Sequence, residues 1–119
     1  MIVKGTPKHV EKDWGYELWI DNNDEYCGKL LVFSKEGNHF SMHSHKLKME
    51  SWYVQSGSFL LKWLEGDDLR EVDLVVGDCL RIERGQPHQL IAKEDGSTIF
   101  EVSTQHFDED SYRLYREIR

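Results

Sequence analysis

Apolar and polar residues along this chain fall into short runs broken by turn-forming residues, with few stretches of helical period. Period-two alternation over four to eight residues is the mark of a half-buried strand. Nine such runs are predicted: Tyr16–Ile20, Cys27–Ser34, His39–His43, Ser51–Ser56, Ser58–Leu64, Arg70–Leu74, Cys79–Glu83, His88–Ala92 and Thr98–Ser103. Between them lie turn signals such as Asp21-Asn22-Asn23-Asp24, Glu36-Gly37-Asn38, Glu65-Gly66-Asp67-Asp68 and Arg84-Gly85-Gln86-Pro87. Short strands at this spacing predict an all-β sandwich or barrel, and closing the sheets removes long exposed edges. The segment after Asp108 alternates acid and base around Tyr112, Leu114 and Tyr115, and reads either as a short helix capped by Asp108 or as an extended arm.

The densest chemistry lies between Gly37 and Gly57, where His43, His45 and Glu50 stand at fixed offsets. Residues two apart in a strand point to one face, so His43 and His45 can present two imidazoles side by side. Glu50 can return a carboxylate to the same place from the next strand. Two nitrogens and an oxygen suit one divalent transition metal (zinc, manganese, iron or nickel), with positions left open for substrate. Downstream, His88 opens an apolar run after the Gly85 turn and offers a fourth ligand. The same alternation sets His39 and Ser41 in line with the histidines, and Trp52 and Val54 in line with Glu50. Trp52 therefore lines the cavity, as packing or as a substrate contact. His39 reads as a rim residue rather than a fifth ligand.

At 119 residues the chain supports one hydrophobic core. No apolar run is long enough to span a membrane, and no apolar leader opens the chain, so a cytoplasmic location is expected. The net charge of −7, without a basic cluster, argues against binding to nucleic acid or anionic membranes. Cys27 and Cys79 are too few for a disulfide framework and read as reduced core thiols, while His9 and His106 read as surface residues.

Gly37 to Gly57 reproduces G-x5-H-x-H-x4-E-x6-G, and in this the chain resembles the cupins. Gly77 to Ala92 is similar to the second cupin motif, with Gly77, Gly85 and His88 in place; Glu83 stands where that motif has Pro, and Ala92 where it has Asn. The resemblance implies a double-stranded β-helix, the jelly-roll barrel, in which His43, His45, Glu50 and His88 hold one metal. It divides the single domain into an arm (1–13), a barrel (14–104) and a tail (105–119). Lys12-Asp13-Trp14-Gly15-Tyr16-Glu17 and Glu50-Ser51-Trp52-Tyr53-Val54-Gln55-Ser56-Gly57 further resemble the cupin domain of type II phosphomannose isomerases. That likeness continues through Phe100-Glu101-Val102-Ser103-Thr104 and an acidic stretch to Arg113 and Tyr115, covering about nine tenths of the chain.

The isomerase resemblance implies a proton shuttle between the first two carbons of an open-chain sugar or sugar phosphate, with metal stabilising the developing negative charge. Glu50 is then the first candidate base and His39 the second. Lys46, Lys48 and Arg81 are the cations available to a phosphate at the barrel mouth, although solvated surface positions are the default for such residues. Two alternatives use the same cavity: an iron-dependent dioxygenase, and a carbohydrate-binding module without turnover. A homodimer is also expected, because Ile2, Val3 and Val10 on the arm would be poorly buried in a monomer.

Overall fold

The architecture follows from alternation. In the computed structural model, which describes residues 1–114, eleven strands form two antiparallel sheets and there is no helix among the described residues. The strands are β1 (Lys8–Lys12), β2 (Gly15–Asn22), β3 (Cys27–Phe33), β4 (His43–Ser44), β5 (Glu50–Ser56), β6 (Ser58–Glu65), β7 (Asp68–Val75), β8 (Cys79–Ile82), β9 (His88–Ala92), β10 (Ser97–Ser103) and β11 (Tyr112–Arg113). One sheet has the order β1-β2-β3-β10-β5-β8 and the other β11-β4-β9-β6-β7. This is the expected single-domain jelly roll: consecutive strands pair at β1-β2-β3 and β6-β7, while β3-β10, β10-β5 and β4-β9 join distant parts of the chain.

Each central strand turns every second residue inward, and the inward rows change character along the barrel. At one end Phe33, Val54, Phe59, Leu90, Ala92 and Ile99 are buried and form the core, where each large side chain contributes about 1.5–3 kcal/mol. At the other end the same rows continue as Lys29, Glu50, His88 and Glu101, also buried. The register places Glu101 opposite both Lys29 and Trp52, so three strands bring polar groups together. Gly57 makes the β5–β6 turn close: φ is +71°, and a Cβ there would lie 2.1 Å from Ser97 Oγ.

Several elements differ from what alternation alone predicts, and the open choice for the tail is decided. The run His39–His43 is not a continuous strand. His39 makes one bridge to Ile91, while Phe40 and Met42 turn into the protein and only His43–Ser44 pairs regularly. Residues 8–12 of the arm form β1, an edge strand zipped onto β2 from Lys8↔Trp19 to Lys12↔Gly15. The segment after Asp108 is extended through Leu114, with β11 pairing to β4, and Tyr115 and the residues after it lie outside the described residues. Cys27 is buried as expected, but Cys79 is exposed at the sheet edge.

Candidate metal centre

β4 and β9 are neighbours, and their register sets His43 directly opposite His88. His45 follows from the end of β4, and Glu50 begins β5. The three imidazoles converge so that one nitrogen from each lies within 4.8 Å of the others. Their protonation is fixed by their outer contacts. His43 Nδ1 contacts the Ser41 carbonyl at 2.8 Å, His45 Nδ1 the Asp110 carbonyl at 2.5 Å, and His88 Nδ1 the Gln86 carbonyl at 2.9 Å. A carbonyl oxygen only accepts, so each Nδ1 carries the proton and each Nε2 presents a lone pair. His43 Nε2 and His45 Nε2 stand 3.2 Å apart, two acceptors facing each other.

Glu50 stands beside this group. Its Oε1 accepts the Trp52 indole N–H at 2.7 Å, and its Oε2 lies 3.4 Å from His45 Nε2. Among the described residues, Glu50 Oε2 and His88 Nε2 are buried with no hydrogen-bond partner. Three converging imidazole lone pairs with a carboxylate oxygen beside one of them, two of these four atoms lacking a hydrogen bond, are a costly arrangement that a bound cation resolves. Nitrogen and carboxylate donors with this outer ring of hydrogen bonds fit a divalent transition metal.

Electrostatics agree with the geometry. Burial pushes His43 down to about 4 and His88 to about 3, and it also lowers His45, so all three are neutral and able to ligate near neutral pH. Burial, reinforced by the neighbouring Glu101, raises Glu50 to about 8.

Beside these donors lies a second buried group that the sequence reading missed. Burial works against the charge of Glu101, but Lys48 and Lys29 outweigh it and hold this carboxyl down at about 2. Lys48 Nζ lies 3.4 Å from Glu101 Oε2, 3.6 Å from Glu50 Oε2 and 3.3 Å from His106 Nδ1. Lys29 is paired with Glu17 at 3.4 Å and lies 4.2 Å from the centre of the Trp19 ring. Asp110 ties the tail to the ligand turn: its carboxylate accepts the backbone N–H groups of Lys46, Leu47 and Lys48.

The expected site residues thus separate. His43, His45, Glu50, His88, Trp52 and Lys48 all line one cavity of about 280 Å³. Lys48 is buried deep inside it, which corrects its placement as a surface cation at the mouth. Arg81 is outside the cavity, exposed and paired with Glu83 at 2.9 Å, because its position in β8 faces outward. Lys46 lies over the Tyr112 ring, away from the cavity lining. His39 sits on the rim, exposed, with Nδ1 donating to the Gly37 carbonyl. His106, read as a surface residue, is instead packed against Trp19 and Lys48, whereas His9 is exposed and stacks on Tyr16. Phe40, not Ser41, packs against His43, His88 and Trp52.

A family described as the cupin domain matches residues 30–103, more than half of the chain. The chain belongs to the cupin family. No curated protein matches this cupin. Among solved structures it is similar to the capsular polysaccharide assembling protein CapF from Staphylococcus aureus, with a TM-score of 0.77 and 20% identity over 91% of this chain. Oxalate decarboxylase from Bacillus subtilis superposes with a TM-score of 0.79 and 18% identity over 96% of this chain. KdgF from Halomonas sp. gives 0.68 and 19% over 79% of this chain and 81% of its own. The chain spans about a third of CapF and of oxalate decarboxylase, 34% and 33%. Likeness at these identities concerns the fold.

Proposed function

We propose that this cupin is a metal-dependent enzyme of sugar chemistry, holding one divalent transition metal on His43, His45, His88 and Glu50 and interconverting an aldose or aldose phosphate with its ketose. The observation that carries the metal site is the pair of buried, partnerless donors, Glu50 Oε2 and His88 Nε2, beside two facing imidazole lone pairs. The cavity supports the sugar reading: it is small, and polar groups line it on several sides. The metal, when bound, supplies electrophilic polarisation of a carbonyl and its neighbouring hydroxyl. Glu50 is the proton carrier of the reading, since its Oε1 is fixed by Trp52 while Oε2 is free to ligate or to take a proton. His39, on the rim, is the second candidate. A phosphate would extend to the mouth, where Lys12 and Arg113 line the opening.

The test is exchange of the C2 proton of mannose 6-phosphate or a related aldose with solvent, using protein loaded in turn with manganese, zinc, iron or nickel. Exchange that is abolished by Glu50→Gln supports the reading. No exchange across the panel leaves the carbohydrate-binding module ahead, and oxygen uptake by the iron form moves the dioxygenase forward.

The proposal includes a homodimer in the cytoplasm. Leu18, Leu30, Phe100 and Tyr53 are laterally adjacent across β2, β3, β10 and β5 on the outer face of the larger sheet, flanked by exposed Ile20 and Val102. Such a row, together with exposed Ile2 and Val3, is apolar surface that a second copy would cover. Light scattering at micromolar concentration is expected to give twice the chain mass of 14.1 kDa; a value at the chain mass contradicts it.

A further inference from the structure

The cavity contains a buried ammonium in a place that a distal sugar phosphate does not need. Lys48 Nζ is separated from the His45 nitrogen only by Glu50 Oε2, through contacts of 3.6 and 3.4 Å. Glu101, on β10, also holds the ammonium at 3.4 Å, and His106 contacts it at 3.3 Å. Lys48 therefore has a fixed position beside the donor cluster and lines the same cavity. Lys29, the other buried lysine, is engaged differently, between Glu17 and the Trp19 ring. The oxygen that faces Lys48 is the one that faces His45, so a metal ion ligated by Glu50 would draw on the charge that now balances the ammonium. A buried ammonium that loses a carboxylate partner favours another anionic oxygen in its place.

We infer that Lys48 is the substrate-anion anchor of this cupin, and that its ligands carry a carboxylate directly next to the metal-binding oxygen, as in an α-hydroxy or α-oxo acid. The spacing selects that class. Lys48 and His45 flank one and the same oxygen, so an anion on Lys48 and an oxygen at the histidine cluster belong to nearby atoms of a ligand, whereas the charge of a hexose 6-phosphate lies four carbons from C2. The inference rests on the proposed metal site and not on isomerisation.

The test uses cobalt-loaded full-length protein, with glycolate and its uncharged analogue glycolamide as probes, read by calorimetry and by the cobalt visible spectrum. The comparison variant is the charge-balanced Lys48→Met/Glu101→Gln, which leaves no lone buried charge from this pair. Wild-type protein is expected to prefer glycolate over glycolamide by at least about tenfold more than the double variant does, with cobalt bound by both. An equal preference in the two proteins overturns the inference. Should the double variant not fold, Lys48→Gln/Glu101→Gln, which keeps a polar pair, carries the same comparison with the same two outcomes. Failure of aldose proton exchange would remove the isomerase reading while leaving this binding result standing, so the two can fail separately.

Discussion

His43, His45 and His88 share one cavity with Lys48, Glu101, Lys29 and Glu17, yet the two groups meet the cost of burial in opposite ways. The second group is balanced: two ammonium groups face two carboxylates at 3.4 Å each, and the charges match inside the barrel. The first group is open. Its three imidazoles are satisfied only on the outside, by backbone carbonyls, and their inner lone pairs converge beside a carboxylate oxygen that has no hydrogen bond. A self-neutralised cluster positions and balances, whereas an unsatisfied one calls for a cation from outside. The contrast separates charges that are matched within the barrel from lone pairs that are not, and Lys48, 3.6 Å from Glu50, joins the two groups.

If the ionic group is balanced within the barrel, removing one member should hurt folding most. Lys29→Met is expected to cost about 3–5 kcal/mol in denaturant unfolding, because it leaves Glu17 buried without its cation. Adding Glu17→Gln should restore most of that loss, and a double variant as unstable as the single one would break the comparison. The next effect concerns the link between the groups. Asp110→Asn weakens the clasp on the backbone of residues 46–48 and should lower metal affinity about 10–100-fold in a competition titration.

Acid should act on the two groups unequally. The histidines of the metal-free protein titrate below their ordinary value, His43 near 4 and His88 near 3, so their contribution is complete above pH 6.5 and is lost as pH falls toward 4. Glu50 works the other way. Raised to about 8, it favours folding below its ordinary value of 4.5 and opposes it progressively as pH rises to 8. With four lowered histidines, His106 near 4 among them, against one raised carboxyl, metal-free protein is expected to lose about 2 kcal/mol per pH unit between 6.5 and 4.5. In Glu50→Gln that slope should steepen, and an unchanged slope in thermal melts would contradict the balance. The smallest effect belongs to a residue outside both groups. Arg81→Ala, at an exposed pair, should change stability by less than about 0.5 kcal/mol and leave metal binding as it is.

The open group was legible in the sequence and the balanced one was not, for a physical reason. His43, His45 and Glu50 lie within one local motif, and His88 opens a strand whose partner is β4, so spacing alone points to them. Lys48 sits in a turn, where no alternation tells inward from outward, and default exposure misplaces it at the surface. Asp110 and His106 acquire their roles only when the tail folds back on the barrel. Glu101 and Lys29 did leave a signal: each interrupts an inward row, Ile99 to Glu101 in β10 and Leu31 to Lys29 in β3, with a charge that only a cavity would accommodate. At positions 39 and 41 the rule held for the cavity they line and not for the strand, since the chain turns Phe40 and Met42 into the protein there.

The central claim is that the unsatisfied cluster is a metal site, and metal stoichiometry tests it most directly. Protein purified without chelator and titrated with manganese or cobalt should bind one ion per chain and gain about 2.7 kcal/mol of stability at a hundredfold excess over Kd. His45→Ala should lose both the ion and the gain. One ion per chain retained at full affinity in His45→Ala, or no specific binding by the wild-type protein, would contradict the account.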